Sequence, residues 1–419
     1  MTVRHATPAR PRNARHSRSA HHRARTLLFV TAVCVTAVLA FGVGAGAATY
    51  MRINGNLNHA DIAALVEDEA RPTKAANPDD PNAGKDVNIL LLGSDQRDGE
   101  NAEIGGSFGG MRSDTTIVLH ISADRTRVDA ISIPRDSMVD IPSCKLSNGK
   151  HTGSTFGMFN SAFAFGWDQG GDIASAVGCT WKTVEKNTGV HIDHSVVVDF
   201  AGFEKMVNSL GGVPICIPNE MTSKKARLHL EAGYQTLDGK QALGFARART
   251  GTGVGDGSDT NRIGRQQQLI AAMVTAILHK NVLTDVGDLL SLLGAATSSV
   301  TTDKGLSVSD MAGLAYTMRG IRGGNITFMT IPWGAYPADH NRVQWTPEAA
   351  TIWKRMANDE PLDGSKPTPA STSTPTTSAT GTSTPGATSS ATAKPTPAAT
   401  KKAGRDAFSL DDNTATCTK

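Results

Sequence analysis

Four arginines and two acids crowd one stretch of the chain, residues 243–268. It runs Leu-Gly-Phe-Ala-Arg-Ala-Arg-Thr, then a glycine-rich loop, then Asp-Thr-Asn-Arg-Ile-Gly-Arg-Gln-Gln-Gln. The guanidinium group is planar, always charged and forked, which suits it to bidentate contact with phosphate oxygens. Arg247 and Arg249 are two apart, a spacing that puts both on one face of a strand. Arg262, Arg265 and Gln266 are three and four apart, a spacing that makes them neighbours on a helix face. A charged helix face is often only solvated surface. Two such pairs joined by one Gly/Ser loop, with little acid nearby, point instead to a phosphate-binding wall.

Three further clusters carry carboxylates as well as arginines: Gly93-Ser-Asp95-Gln-Arg97, Arg112-Ser-Asp114-Thr115 and Ile133-Pro-Arg135-Asp136. Each lies at the end of an apolar, β-branched run. Singly, such residues cap turns or form ion pairs. Together they describe a site of alternating acids and guanidinium groups. Carboxylates without Cys or His suit a hard cation, Mg²⁺ or Mn²⁺. A cation and arginines side by side are the electrostatic means of phosphoryl transfer. His191 and His194 flank Asp193 but are three apart on a strand-like run, so they do not share a face, and they are read as core or edge residues. Ser94 and Ser113 lack a His in a telling place, which argues against a serine hydrolase.

The elements that must position these residues alternate. Val87 to Leu92 is a continuous apolar run ended by Gly93, the pattern of a buried strand. Thr115 to Ile121 and Arg127 to Ile133 read as a hairpin turning at Asp124-Arg-Thr. Phe159 to Glu185 reads as one or two helices, His191 to Asp199 as a strand, and Phe200 to Leu210 as a helix closed by Gly211-Gly212. Val213 to Ile217, bounded by prolines, reads as an edge strand. Arg262 to His279 reads as a long amphipathic helix, residues 282–322 as mostly helical, Asn325 to Ile331 as a strand and Thr346 to Met356 as a closing helix. The alternation predicts a layered α/β/α domain around a central mixed sheet, spanning residues 86–360.

The chain has 419 residues, a net charge of +3 and 39% hydrophobic residues, which does not suggest a polyanion-coating protein. Residues 1–26 hold seven arginines and no acid, then residues 27–49 form an apolar run. That length crosses a bilayer core, and the flanking charge keeps the N-terminus cytoplasmic. A cleaved signal peptide competes, because Gly-Ala-Gly-Ala-Ala resembles a cleavage site, but the run is long for one. The reading is a single-pass anchor in the cell membrane, with everything after it exported. The basic N-terminus then sets topology and touches anionic lipid rather than nucleic acid. Residues 50–85 read as a stalk broken by prolines, and residues 361–419 as a Pro/Ser/Thr-rich disordered tail. Outside the span four cysteines remain, Cys144, Cys179, Cys216 and Cys417, an even number for an oxidising compartment. Three pairings are possible. Cys144 with Cys179 and Cys216 with Cys417 is the one favoured, the second returning the tail to the domain.

The same motifs, in this order, resemble the LytR-CpsA-Psr proteins of bacterial envelopes. The resemblance covers roughly Asp86 to His279 and the N-terminal span. It adds Asn160-Ser-Ala-Phe163, Phe200-Ala-Gly-Phe203 with Gly211-Gly-Val-Pro214, Leu237-Asp-Gly-Lys-Gln-Ala-Leu243 and Asp259-Thr-Asn-Arg-Ile-Gly-Arg-Gln-Gln267 to the clusters above. It implies an extracytoplasmic enzyme that binds a polyprenyl-pyrophosphate glycolipid and transfers its glycopolymer (teichoic acid, capsule or arabinogalactan type) to peptidoglycan as a phosphodiester. It implies Mg²⁺ (or Mn²⁺) held by Asp95 and Asp114, and pyrophosphate held by Arg97, Arg112, Arg135, Arg247, Arg249, Arg262 and Gln266. Arg112, Arg135, Asp136 and Asp259 form the expected catalytic set, with Asp259 orienting arginines. The inserts before Arg112 and before Asp259 are long and glycine-rich, a departure that bears on the Asp95–Asp114 pairing. A pyrophosphatase using the same residues is the alternative enzyme. An envelope-associated transcriptional attenuator or lipid-binding module fits less well, because only about 25 residues face the cytoplasm.

Overall fold

The structure, a computed structural model, describes residues 57–66, 84–96, 99–105, 110–279, 300–364 and 400–412, with single positions 51, 55, 71, 294, 297 and 417. The span expected at 27–49, Arg97 and nearly all of the Pro/Ser/Thr-rich stretch lie outside them. Among the described residues no helix is long and apolar enough to cross a membrane. The architecture below belongs to the unit from Asn56 onward.

In chain order, β1 (Asn58–Ala60) and a short helix α1 (Ala63–Val66) precede β2 (Val87–Ser94), α2 (Gly99–Gly105) and the hairpin β3 (Ser113–Ile121) and β4 (Val128–Ile133). A second hairpin, β5 (Met138–Ile141) and β6 (Thr155–Met158), leads into α3 (Ser161–Gly170) and α4 (Ile173–Thr188). Then come β7 (His194–Val198), α5 (Phe200–Ser209), the small strands β8 (Val213–Ile217), β9 (Met221–Ser223), β10 (Leu228–Leu230) and β11 (Gly233–Leu237), and helices α6 (Gly239–Arg247) and α7 (Asp259–His279). The rest is β12 (Val300–Asp303), α8 (Val308–Thr317), β13 (Ile326–Thr330), the hairpin β14 (Trp333–Tyr336) and β15 (Asp339–Trp345), α9 (Pro347–Ala357) and β16 (Phe408–Ser409).

Eight strands make one mixed sheet in the order β1-β12-β7-β2-β3-β4-β13-β16. The β2 strand pairs parallel with β7 and antiparallel with β3, and β13 pairs parallel with β4. Successive side chains of a strand point to opposite faces, and in β2 both faces are apolar. Leu90 and Leu92 join a core with Phe163, Trp181, Val184 and Trp353 from α3, α4 and α9. Ile89 and Leu91 join a core with Ile270, Val274 and Leu278 of α7 and Leu314 of α8. The continuous apolar run is therefore the middle of an α/β/α sandwich. A third cluster, with Val207, Ile215, Leu237, Phe245 and Leu269, packs α5, α6 and α7 against the β8–β11 ribbon.

Several boundaries differ from the sequence reading. Arg247 and Arg249 do not sit on a strand: Arg247 ends α6 and Arg249 lies in the loop beyond it. Asp238 and Gln241 form a reciprocal capping box that starts a helix there, and Ala242 and Phe245 bury its apolar face. The segment read as a stalk contributes β1, which pairs parallel with β12 inside a region expected to be helical. The tail also returns to the fold. There β16 pairs antiparallel with β13, and Phe408 stacks on Phe328 with ring centres 5.4 Å apart. Gly404, at φ +86°, lies so close to α7 that a Cβ there would meet the Thr260 carbonyl oxygen at 2.5 Å. Disulfides join Cys144 to Cys179 and Cys216 to Cys417, with Cα separations of 5.3 and 5.8 Å. At the sheet edge remote from the arginines, Asp359 accepts from Arg127 at 2.8 Å and lies 2.9 Å from buried His120.

Candidate active site

The carboxyl ends of β2, β4, β7 and β13 share one edge of the sheet, where open α/β sheets place ligands. The register slips between Gly93 and Ser94 of β2. There Asp95 N–H donates to the Arg112 carbonyl at 3.0 Å, and Arg112 N–H donates to Asp95 Oδ1 at 2.6 Å. Thus Asp95 closes the glycine-rich insert, and Asp114 follows two residues on. Beyond β4, Arg135 Nη1 donates to Asp114 Oδ1 at 2.7 Å. Across from both strands stands the first turn of α7. Buried Gln267 holds that helix in place, its Nε2 donating to Ser132 Oγ at 3.0 Å and Thr330 Oγ1 at 3.2 Å, while its Oε1 accepts from Gly404 N–H at 2.9 Å.

Asp259, at the start of α7, gathers three guanidinium groups on Oδ1: Arg262 Nη2 at 2.7 Å, Arg249 Nη2 at 3.1 Å and Arg135 Nε at 3.5 Å. Arg262 also donates to the Asp114 carbonyl at 2.9 Å and lies 3.8 Å from Asp114 Oδ2. Arg135 Nε is 3.5 Å from Asp136 Oδ2. Acidic compensation is thus substantial, contrary to the impression from the linear stretch, because Asp114 and Asp136 arrive from distant strand ends.

Burial shapes the charges. It pulls against ionisation of Asp114, but Arg262, Arg135 and Arg249 together hold that carboxyl below the ordinary value. Burial pushes Asp259 up despite Arg262 and Arg135, and Asp136 adds to the push. Burial also lowers Arg262, against the pull of Asp259 and Asp114. For Arg135 the burial cost is outweighed by Asp114, Asp136 and Asp259, which raise it. Three buried atoms in this network, Arg135 Nε, Arg262 Nε and Asp259 Oδ2, make no hydrogen bond. Arg135 and Arg262 therefore each keep an Nε donor unspent beside the hydrogen bonds that hold them.

The remaining expected residues divide. Arg112 is exposed beside Asp95. Arg247 lies over the Phe200 ring, 4.2 Å from its centre, a cation–π contact that the sequence reading missed. Gln266 Nε2 reaches the Ala246 carbonyl at 3.4 Å. Arg265 is not part of the arginine cluster. Its guanidinium is buried and donates to the carbonyls of Phe245, Val254 and Ala248, closing the glycine-rich loop onto α7. That burial, aided by Arg262, pushes its pKa down to about 10. Gln267 also escaped notice: a glutamine in a Gln-Gln-Gln run gives no sign of which one is buried.

The LytR_cpsA_psr family model matches residues 49–358. The chain belongs to the LytR_cpsA_psr family. Among curated relatives it is 32% identical over 262 residues to probable cell wall biosynthesis protein LcpB of Corynebacterium glutamicum, covering 61% of this chain and 56% of LcpB. It is 34% identical over 248 residues to the polyisoprenyl-teichoic acid–peptidoglycan teichoic acid transferase TagU of Oceanobacillus iheyensis, covering 58% of this chain and 66% of TagU. The matches thus span between about half and two thirds of those relatives' lengths. The fold is similar to that of the LytR-Csp2A-Psr enzyme from Actinomyces oris, with a TM-score of 0.53 at 21% identity over 72% of this chain and 96% of that one.

Proposed function

We propose that this family member transfers a polyprenyl-pyrophosphate-linked glycopolymer onto peptidoglycan as a phosphodiester, outside the membrane and anchored by residues 27–49. The observation that carries this reading is the convergence of Arg135, Arg249 and Arg262 on Asp259 and Asp114 at the carboxyl edge of the sheet. Supporting it is the similarity to a relative whose name describes a teichoic acid transferase acting on peptidoglycan.

The donor set fits a divalent cation. Asp95 and Asp114 offer carboxylate oxygens, and Asp114 is held ionised by its arginines. Among the described residues no group of three or more His, Cys, Asp or Glu could hold a metal by itself. Asp95 and Asp114 would hold the ion, since Mg²⁺ is commonly bound through only one or two carboxylates. Bound there, the ion would supply charge neutralisation of the pyrophosphate.

The protein's own part is positioning. Arg135, Arg249 and Arg262 orient the pyrophosphate, with Arg112 and Arg247 at the margin. An acceptor hydroxyl attacks the phosphorus that bears the glycan. A phosphorus–oxygen bond to the acceptor forms, the pyrophosphate bridge breaks, and polyprenyl phosphate leaves with the bridging oxygen. Asp136, whose carboxylate is 3.5 Å from Arg135 Nε, takes the hydroxyl proton. The test incubates the purified protein with Mg²⁺, a lipid-linked glycan and peptidoglycan oligomers. Arg135→Ala should lower conjugate formation by about a hundredfold or more, the scale of losing a charge-stabilising donor. Undiminished conjugate from a folded Arg135→Ala/Arg262→Ala protein sinks the assignment. Free glycan phosphate without conjugate favours the pyrophosphatase.

A further inference from the structure

Three consecutive residues after β4 anchor two hairpins as well as the site. Asn160 N–H donates to the Arg135 carbonyl at 3.1 Å, Val343 N–H to that of Asp136 at 3.2 Å, and Phe159 N–H to that of Ser137 at 2.8 Å. Trp345 Nε1 adds a bond to Ser137 Oγ at 3.2 Å. The β5–β6 and β14–β15 hairpins are therefore built on the same backbone that carries Arg135. Each presents an aromatic ring: Phe156 and Tyr336 meet with ring centres 6.3 Å apart and planes tilted by 47°. Phe156 is 53% exposed, one of four large apolar side chains left mostly exposed among the described residues. Beside Tyr336, which pairs with Asp339 across the turn, the start of β15 carries His340, Asn341 and Arg342, all at least partly exposed.

We propose that this aromatic platform binds the acceptor, the β-1,4-linked amino-sugar strand of peptidoglycan, a proposal that rests on the transfer reading above. Aromatic faces stack on the C–H faces of pyranose rings, while Asp339 to Arg342 at the start of β15 offer donors and acceptors to hydroxyl and acetamido groups. Two rings set among four polar side chains give too little contiguous apolar surface for a protein interface or a lipid bed. Position favours the acceptor over the donor. Arg249 and Arg262 reach Asp259 from the α7 side, whereas the hairpins join the site through Asp136, the proton acceptor. From Asp136 to Tyr336 is two strand spacings and one residue, roughly 10 Å, or about two sugar units.

The test uses the full-length protein, a GlcNAc–MurNAc tetrasaccharide and farnesyl diphosphate, each titrated calorimetrically. Phe156→Ala/Tyr336→Ala should weaken tetrasaccharide binding about tenfold, leave farnesyl diphosphate binding within twofold, and raise KM for the acceptor rather than the donor. Phe156→Trp, which keeps an aromatic face beside Tyr336, should retain binding. Tetrasaccharide affinity equal in wild type and the double variant overturns the proposal. So does a raised donor KM alone, or lost binding to phosphatidylglycerol vesicles with unchanged sugar affinity, which would mark a membrane contact. Arg135→Ala tests the underlying reading separately, since it should weaken farnesyl diphosphate binding and leave tetrasaccharide binding in place.

Discussion

Replacing Arg262 with alanine should cost stability as well as activity, and the two losses have one source. Arg262 is buried, bonds Asp259 at 2.7 Å and the Asp114 carbonyl at 2.9 Å. Truncating one partner of a buried ion pair costs about 3–5 kcal/mol, because the other charge stays behind without compensation. Asp259 keeps Arg249 at 3.1 Å and Arg135 at 3.5 Å, so the low end, about 3 kcal/mol, is expected. For the roughly 300 residues of the family match, unfolding entropy near 2.1 cal/mol/K per residue turns this into a fall in Tm of about 5 °C. Scanning calorimetry of Arg262→Ala, Asp259→Asn and the double variant measures it. In the double variant the stranded charge is gone, so its cost should fall short of the sum of the singles by about 2 kcal/mol. Arg262→Lys keeps the charge but loses the fork, and should still impair transfer. Strictly additive singles, or an Arg262→Ala protein melting within 1 °C of wild type, would show that Asp259 is not held by Arg262.

Asp359→Asn should lower Tm above pH 3.8, and the deficit should vanish in more acid solution. Burial works against the Asp359 carboxylate, yet bonds from His120 and Ala123 N–H keep its pKa below 3.8, so its contribution is present above that value and lost as pH falls through the lower folded one. Asparagine tolerates the φ of +56° at this position, and a pH-independent Tm gap would refute the linkage. Gly404→Val should destabilise by roughly 2 kcal/mol, because φ is +86° and a side chain would strike α7; unchanged protection of the 400–412 backbone in hydrogen exchange would contradict it. Arg247→Ala should weaken farnesyl diphosphate binding about threefold to tenfold with Tm within 1 °C. Calorimetric titration of Phe200→Leu should show a smaller loss in the same direction if the ring 4.2 Å away positions the guanidinium.

The centre of the fold was legible because β2, β3 and β4 are long, apolar and buried on both faces, and because a charged cluster follows β2 and β4 and opens β3. The edges were not. Three-residue β1 and four-residue β12 pair across more than 240 positions of sequence, and runs so short carry no period. Two-residue β16 sits beyond a Pro/Ser/Thr-rich stretch whose composition masks it. The strand reading of Arg247 and Arg249 failed because two residues of period-two spacing cannot outweigh a capping box nine residues upstream of Arg247. Arg265 shows a different limit. Spacing places it beside Arg262 on a helix, but whether a fork meets phosphate or backbone carbonyls depends on where the preceding loop folds.

That distinction changes the charge of the site. Without Arg265, the connected network holds Arg135, Arg249 and Arg262 against Asp114, Asp136 and Asp259, so three cations face three carboxylates. A balanced network offers little to a pyrophosphate that gives up water on binding. The acids nonetheless have a use: Asp259 and Asp114 hold long, flexible arginines in place before any ligand arrives, which spares the cost of ordering them later. On the proposed reading, the same acids leave neutralisation to a divalent ion held by Asp95 and Asp114, which would add two positive charges. Farnesyl diphosphate affinity of the wild-type protein should therefore drop at least tenfold in EDTA. Asp114→Asn removes one acid and should bind with a smaller EDTA effect, though Arg135 loses its 2.7 Å partner. Affinity indifferent to EDTA in the wild type would mean that the arginines alone neutralise the pyrophosphate.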